Sequence, residues 1–183
     1  LGGGSSDAAT VLLALNRLWG CGLSRAALMQ LGVQLGADVP EFIFGRNARA
    51  TGIGEQLSEI SLPAAWYVVL HPTVQVPTAT VFKEFSRQVL TGRASFSTMR
   101  TLATTLQKKN DLQSVVCQMY PAVNEALSAL RECGSPLMTG SGACVFLECG
   151  NEDQAKTVYQ SLSSRFSGFV AKGLAAHPMF DGE

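Results

Sequence analysis

Charge is scarce in this chain and evenly divided: charged residues make up 15% of 183 residues, with 14 acidic and 14 basic side chains and a formal net charge of zero. The basic residues form no run, which excludes nucleic acid or an anionic membrane surface as the main partner. No apolar stretch approaches the ~18 residues that span a bilayer, and no signal-peptide pattern opens the chain. Histidine is nearly absent. His71 and His177 each stand before a proline, with no His, Cys or carboxylate at ligand spacing, so neither a zinc site nor a Ser-His-Asp triad is expected, and no metal-ligating residue is assigned. The cysteines Cys21, Cys117, Cys133, Cys144 and Cys149 contain no C-x-x-C and mostly have apolar neighbours. They read as reduced, buried cysteines of a cytoplasmic protein. Two familiar phosphate signatures, G-x-x-x-x-G-K-[ST] and a G-x-G-x-x-G after a strand, are missing as well.

What is present is a core-forming composition, 46% hydrophobic, long enough for one large or two small domains. Its most informative stretch comes first. Leu1-Gly2-Gly3-Gly4-Ser5-Ser6-Asp7 runs into an apolar series at Ala8, Val11, Leu12, Leu15, Leu18 and Trp19, the spacing of one helix face, ended by Gly20 and Gly22. The reading is a helix capped by Ser5 or Ser6 and entered through glycines at positive φ. The free N–H groups, the helix dipole and the serine hydroxyls would then share one anion site. On these residues alone a merely flexible, serine-capped entry remains the alternative. The stretch opens inside its motif, without Met and without the strand that should deliver it, so an upstream segment is expected.

Further along, Ser24 caps a second helix through Leu31 that ends about Gly32 to Gly36. Asp38 precedes Val39-Pro40, where it reads either as a helix cap or as a carboxylate held on a rigid turn close to the glycine loop. Phe42-Ile43-Phe44 reads as a strand closed by Gly45, and Gly52-Ile53-Gly54 as a hairpin turn between Ala48–Thr51 and Glu55–Leu57. Ser58 to Ala65 reads as a linker. Trp66–Leu70 is a buried strand by its β-branched and aromatic content, followed by a short helix from Pro77-Thr78 carrying Val81, Phe82 and Phe85. Residues 88–97 read as a loop and 98–108 as a helix. Asn110-Asp111 caps the next helix, and Pro121 opens another that Gly134 stops. Leu137 to Leu147 forms two strand-like runs around the turn Thr139-Gly140-Ser141-Gly142, Asn151 caps a helix to about Ser164, and Gly168–Ala171 is a last strand. From Trp66 the order is that of an α+β sandwich with an antiparallel sheet.

A phosphate loop, an isolated aspartate and a second glycine-serine turn are the parts of a phosphoryl-transfer site: donors for nonbridging oxygens, a carboxylate for an alcohol proton, and backbone to close over phosphates. The first nine residues resemble the second motif of the GHMP kinase superfamily, and Leu137 to Phe146 its third. Leu35-Gly36-Ala37-Asp38-Val39-Pro40, Asn110-Asp111-Leu112 and Gly168-Phe169-Val170-Ala171-Lys172-Gly173 extend the similarity over almost the whole chain.

The resemblance implies the two-domain GHMP kinase fold. Residues 1–62 would complete an N-terminal domain like that of ribosomal protein S5, and residues 63–183 would form the C-terminal α/β sandwich. It implies ATP- and Mg²⁺-dependent phosphorylation of the 2-hydroxyl of a cytidine diphosphate-linked methylerythritol, a step of non-mevalonate isoprenoid synthesis, in the cytoplasm. Asp38 matches the catalytic aspartate, and Leu1, Gly2, Gly3, Gly4, Ser5 and Ser6 match the nucleotide loop. Phe82 matches the aromatic that stacks on cytosine, Ile53 and Thr78 match lesser substrate contacts, and Gly140, Ser141 and Gly142 lie on the substrate side. The lysine that partners the aspartate and most of the adenine pocket would lie on an N-terminal segment before Leu1, so the chain alone is expected to be inactive. Ala79 stands where a proline is often found. A kinase for another small alcohol, such as homoserine or a mevalonate, and a non-catalytic phospholigand binder are the rival readings.

Overall fold

The computed structural model describes residues 1–51, 56–92 and 109–177. Ile53, the tip of the Gly52-Ile53-Gly54 hairpin, and the helix expected over 98–108 lie outside the described residues. Contacts divide the chain into two compact units, one from Gly2–Ala64 with the residues from Leu174 onward, the other from Ala65–Gly173.

In the first unit, α1 (Gly3–Leu18), α2 (Arg25–Leu35) and α3 (Val39–Phe44) precede an antiparallel pair, β1 (Ala48–Thr51) and β2 (Gln56–Glu59). Ser24 caps α2 as expected, its Oγ accepting the Ala27 N–H at 3.2 Å. The core is small: Ala9, Leu28, Val39 and Ile43 are buried, with Ala8, Leu12, Leu13, Met29 and Phe42 packed on them. Four expectations change here. Phe42-Ile43-Phe44 is helical, not a strand. Pro40 presets helical φ in the first turn, and Val39 and Ile43, one turn apart, both reach the core. Helix α1 begins at Gly3, so Ser5 and Ser6 lie inside its first turn and Gly2 is the cap residue. Its inward face is also narrower than the periodicity suggested. Ala8 and Leu12 reach the core, whereas Val11, Leu18 and Trp19 are exposed. β2 takes Ser58 and Glu59 from the stretch read as a linker.

The second unit runs β3 (Trp66–Leu70), α4 (Thr78–Leu90), α5 (Gln113–Met119), α6 (Pro121–Arg131), β4 (Leu137–Met138), β5 (Val145–Cys149), α7 (Glu152–Leu162) and β6 (Gly168–Lys172). Its strands form an antiparallel sheet in the order β4-β5-β3-β6, with Val68 opposite both Leu147 and Val170. One sheet face is covered by the helices. Val68, Leu70, Val81, Val116, Val123, Leu127, Leu130, Val145 and Leu147 are buried together, each side chain contributing about 1.5–3 kcal/mol by leaving water. Asn151 caps α7 through its Oδ1, which accepts the Gln154 N–H at 2.9 Å.

Two further expectations change. Helix α4 runs on to Leu90, through residues read as loop, because Gln88 is buried and its amide donates to Glu84 on the same helix and to Gln118 on α5. Of the cysteines, only Cys149 is buried. Cys117 and Cys144 are half-buried, Cys21 and Cys133 exposed, and all are free. Among the described residues no helix is long and apolar enough to cross a membrane.

Candidate active site

The sequence-predicted residues fall into two groups, one in each unit. In the first unit, Gly2 enters α1 at φ 67° and ψ 25°. That left-handed conformation is one an L side chain rarely adopts. A Cβ there would also stand 3.0 Å from Cζ of Phe42. The first hydrogen bond of α1 runs from the Ser6 N–H to the Gly2 carbonyl at 2.9 Å. The N–H groups of Gly3, Gly4 and Ser5 therefore have no carbonyl within the helix to donate to, and they point out of its positive end. Gly3 and Gly4 are helical, which corrects the expectation of positive φ at both. Their bareness has another use: a Cβ on either would meet nothing within 4 Å, so open space lies over the exposed N–H groups. Leu1 is 63% exposed at this end.

Asp38 is carried to the same region by α3. It occupies the N-cap position, yet its side chain makes no cap hydrogen bond. The carboxylate is exposed and remains available for other chemistry. Phe42, whose ring packs against Gly2, follows Asp38 by four residues and so shares its helix face. The link before Asp38 also approaches the loop, since a Cβ on Gly36 would lie 4.0 Å from Ser5 Oγ. The position of α3 is itself held firmly. Gly32 of α2 leaves no room for a methyl, which would stand 2.9 Å from Ile43, and Arg25 donates to the Ile43 carbonyl.

One turn beyond Asp38, the Glu41 carboxyl is raised above its ordinary pKa, first by partial desolvation and then by the Asp38 charge. A raised carboxyl binds its proton more tightly in the folded state. The resulting penalty is absent below the ordinary carboxylate range, grows as pH rises through it, and is complete above the raised value. Glu41→Gln should therefore raise the urea midpoint at about pH 7 and leave it unchanged at about pH 3.5. Equal gains at both pH values would show that charge at Glu41 is not the cause.

In the second unit, Thr78 is the first residue of α4, and its Oγ1 lies 2.7 Å from Ser141 Oγ. The helix start and the glycine-serine turn are thereby joined. In that turn Gly140 and Gly142 have φ of 55° and 92°, and a Cβ on Gly142 would press on Met138 Sδ at 3.1 Å. The Gly142 N–H donates to the Thr139 carbonyl at 3.0 Å, and the Thr139 N–H to the Cys144 carbonyl at 3.0 Å. Phe82 follows Thr78 by one turn and is 52% exposed, whereas Val81 and Phe85 are 0% and 2% exposed. It is therefore an accessible ring and not part of the core.

Asn110 does not cap α5 as expected, because the N-cap is Leu112 and has no side-chain cap hydrogen bond; its amide instead joins the turn before the helix to a distant one. Its Oδ1 accepts the Leu112 N–H at 3.0 Å, and its Nδ2 donates to the carbonyls of Met138 at 2.7 Å and Gly140 at 2.8 Å. Sequence reasoning missed this residue as part of the turn. The only local signal, Asn-Asp before a helix, is that of an ordinary cap. Ile53 lies outside the described residues.

Residues 1–46 match the family described as GHMP kinases N terminal domain, and residues 89–168 match GHMP kinases C terminal. The 4-diphosphocytidyl-2-C-methyl-D-erythritol kinase of Chromobacterium violaceum is 62% identical over 99% of this chain, which covers 64% of that relative. The enzyme of the same name from Neisseria meningitidis serogroup B is 48% identical over 98% of the chain, with 63% of its own length covered. Among solved structures, a 4-(cytidine 5'-diphospho)-2C-methyl-D-erythritol kinase superposes with a TM-score of 0.71 at 30% identity, over 94% of this chain and 65% of that one. A homoserine kinase from Cytophaga hutchinsonii shares the fold, with a TM-score of 0.65 at 14% identity over 89% of this chain and 62% of its own. The chain thus spans a little under two thirds of the length of these relatives.

Proposed function

Because the chain belongs to the GHMP kinase family, we propose that it is the larger part of a kinase that transfers the γ-phosphoryl group of ATP to the 2-hydroxyl of 4-diphosphocytidyl-2-C-methyl-D-erythritol. The relatives of that name support the substrate. The observation that carries the chemistry is the pairing of an uncapped, exposed Asp38 with the open helix start at Gly3 and Gly4.

The N–H groups of Gly3, Gly4 and Ser5 hold phosphate oxygens, aided by the helix dipole and the Ser5 and Ser6 hydroxyls. Asp38 accepts the proton of the substrate hydroxyl as its oxygen bonds to the γ-phosphorus, and the bond from that phosphorus to the bridging oxygen breaks to release ADP. Among the described residues no group of three acidic, His or Cys side chains could cage a metal ion. Ser5, Ser6 and Asp38 offer oxygen donors of the kind magnesium takes, one or two at a time, and would hold the ion. When bound it neutralises charge on the phosphate oxygens. Thr78, Ser141 and the turn from Gly140 to Gly142 bind the diphosphocytidyl end, and Phe82 stacks on its cytosine. A cytoplasmic site of action belongs to this reading.

The direct test is turnover by the intact enzyme with ATP and magnesium, followed by phosphorus NMR of the product. Phosphorylation of homoserine or mevalonate in preference to the cytidine substrate would overturn the assignment. Phe82 separates these cases by itself. Phe82→Leu keeps apolar bulk but removes the π face, so calorimetry should show a loss of about 1–3 kcal/mol for the cytidine substrate and none for ATP. Equal losses for both ligands would assign Phe82 to the fold.

A further inference from the structure

We infer that Asn110 is a positioning residue, a clamp that keeps the turn from Thr139 to Gly142 in the shape that receives a phosphate-bearing ligand; its link to turnover rests on the kinase reading above.

The assignment of its amide is forced by chemistry. Leu112 offers an N–H, which only Oδ1 can accept, while the carbonyls of Met138 and Gly140 can only accept, so both face Nδ2. Two carbonyls two residues apart thus share one donor group across the mouth of the turn. A peptide unit that binds an anion through its N–H must keep its carbonyl away from that anion, because the carbonyl end of the dipole repels it. Tying the Gly140 carbonyl to Asn110 fixes that orientation for the Gly140–Ser141 peptide before a ligand arrives, as preorganisation requires, and the bond to the Met138 carbonyl anchors the other end of the turn, where the Thr139 N–H is committed to the Cys144 carbonyl. Two glycines at positive φ make the turn intrinsically pliable, so its shape needs an external restraint. The Thr78 hydroxyl adds a second tie, 2.7 Å from Ser141 Oγ.

A neighbouring residue supplies the control. Gln113 Oε1 accepts the Met138 N–H at 2.9 Å. Asn110→Asp and Gln113→Glu therefore add the same charge to the same patch, beside the Lys109–Asp111 ion pair at 2.9 Å. They differ in what they remove. Asn110→Asp replaces the shared donor with an oxygen that repels both carbonyls, whereas Gln113→Glu retains an acceptor for Met138.

Both variants are made in the intact enzyme and compared by amide hydrogen exchange and by kinetics. Asn110→Asp should raise exchange at the Thr139 and Gly142 N–H groups by about tenfold or more, and KM by about tenfold, with kcat reduced less because Asp38 is untouched. Gln113→Glu should change neither by more than about twofold. Unchanged exchange at Thr139 and Gly142 in Asn110→Asp, or equal effects in the two variants, overturns the clamp. Faster exchange with an unaltered KM overturns its role in binding. A parent enzyme that fails to phosphorylate the cytidine substrate refutes the kinase reading instead, and the exchange comparison still decides the clamp.

Discussion

Asp38→Asn should lower kcat by about 10²-fold or more while leaving the thermal midpoint within about one or two degrees of the parent. The two halves of this result have separate causes. Loss of rate follows from replacing the carboxylate that takes the hydroxyl proton with an amide of similar shape and no basicity. Retention of stability follows from the site itself: Asp38 occupies the N-cap of α3 but forms no side-chain cap hydrogen bond, so the ~1 kcal/mol that a working cap contributes is not there to be lost. Assays of turnover and of thermal unfolding on the same preparation check both halves. Near-parental turnover combined with a fall of several degrees would return Asp38 to a structural role.

The second large effect is expected at the start of α1. Gly3→Val or Gly4→Val should weaken ATP binding by about 10²-fold or more, as read by calorimetry. The reason is space rather than backbone strain. Neither residue has positive φ, and a Cβ on either meets no protein atom within 4 Å, so the added side chain stands in the volume where phosphate would approach the free N–H groups. The fold should survive, because valine is tolerated at least as well as glycine in a helical turn. Gly2→Val is the contrasting substitution. It forces a β-branched side chain into a left-handed conformation and against the Phe42 ring, so it should destabilise the first unit as well as weaken binding. Undiminished ATP affinity in both the Gly3 and Gly4 variants would leave this helix start as an ordinary chain entry.

These two predictions rest on features of different legibility. The helices at both glycine-bounded stretches, the Ser24 and Asn151 caps, the strand Trp66–Leu70 and the order of elements from Pro121 to Ala171 could be read from the chain, because capping, periodicity and β-branched content act over a few residues. The motifs were equally visible: three glycines before two serines, an aspartate before Val-Pro, and a small-residue turn between two apolar runs. What these segments do locally is largely independent of the rest of the molecule.

The tertiary structure decided the matters on which the site depends. Val39–Phe44 is apolar at nearly every position, and so short a run has no period to choose between strand and helix. It is helical because Val39 and Ile43 must meet Ala9 and Leu28 on one side, and that choice places Asp38 and Phe42 on a shared face. The same packing moves the start of α1. Phe42 lies against Gly2, so the left-handed residue is Gly2 and not the serines' neighbours, and the open N–H groups belong to Gly3, Gly4 and Ser5. Helix α4 passes the point where its pattern fades because Gln88 finds Gln118 on another helix. Asn110 is the extreme case. Its bond to Leu112 is local, a turn before α5 that the sequence suggested as a cap although the N-cap is Leu112, whereas its bonds to Met138 and Gly140 join segments about thirty residues apart. A hydrogen bond of that reach has no sequence signature, because its partners are backbone carbonyls that every residue carries.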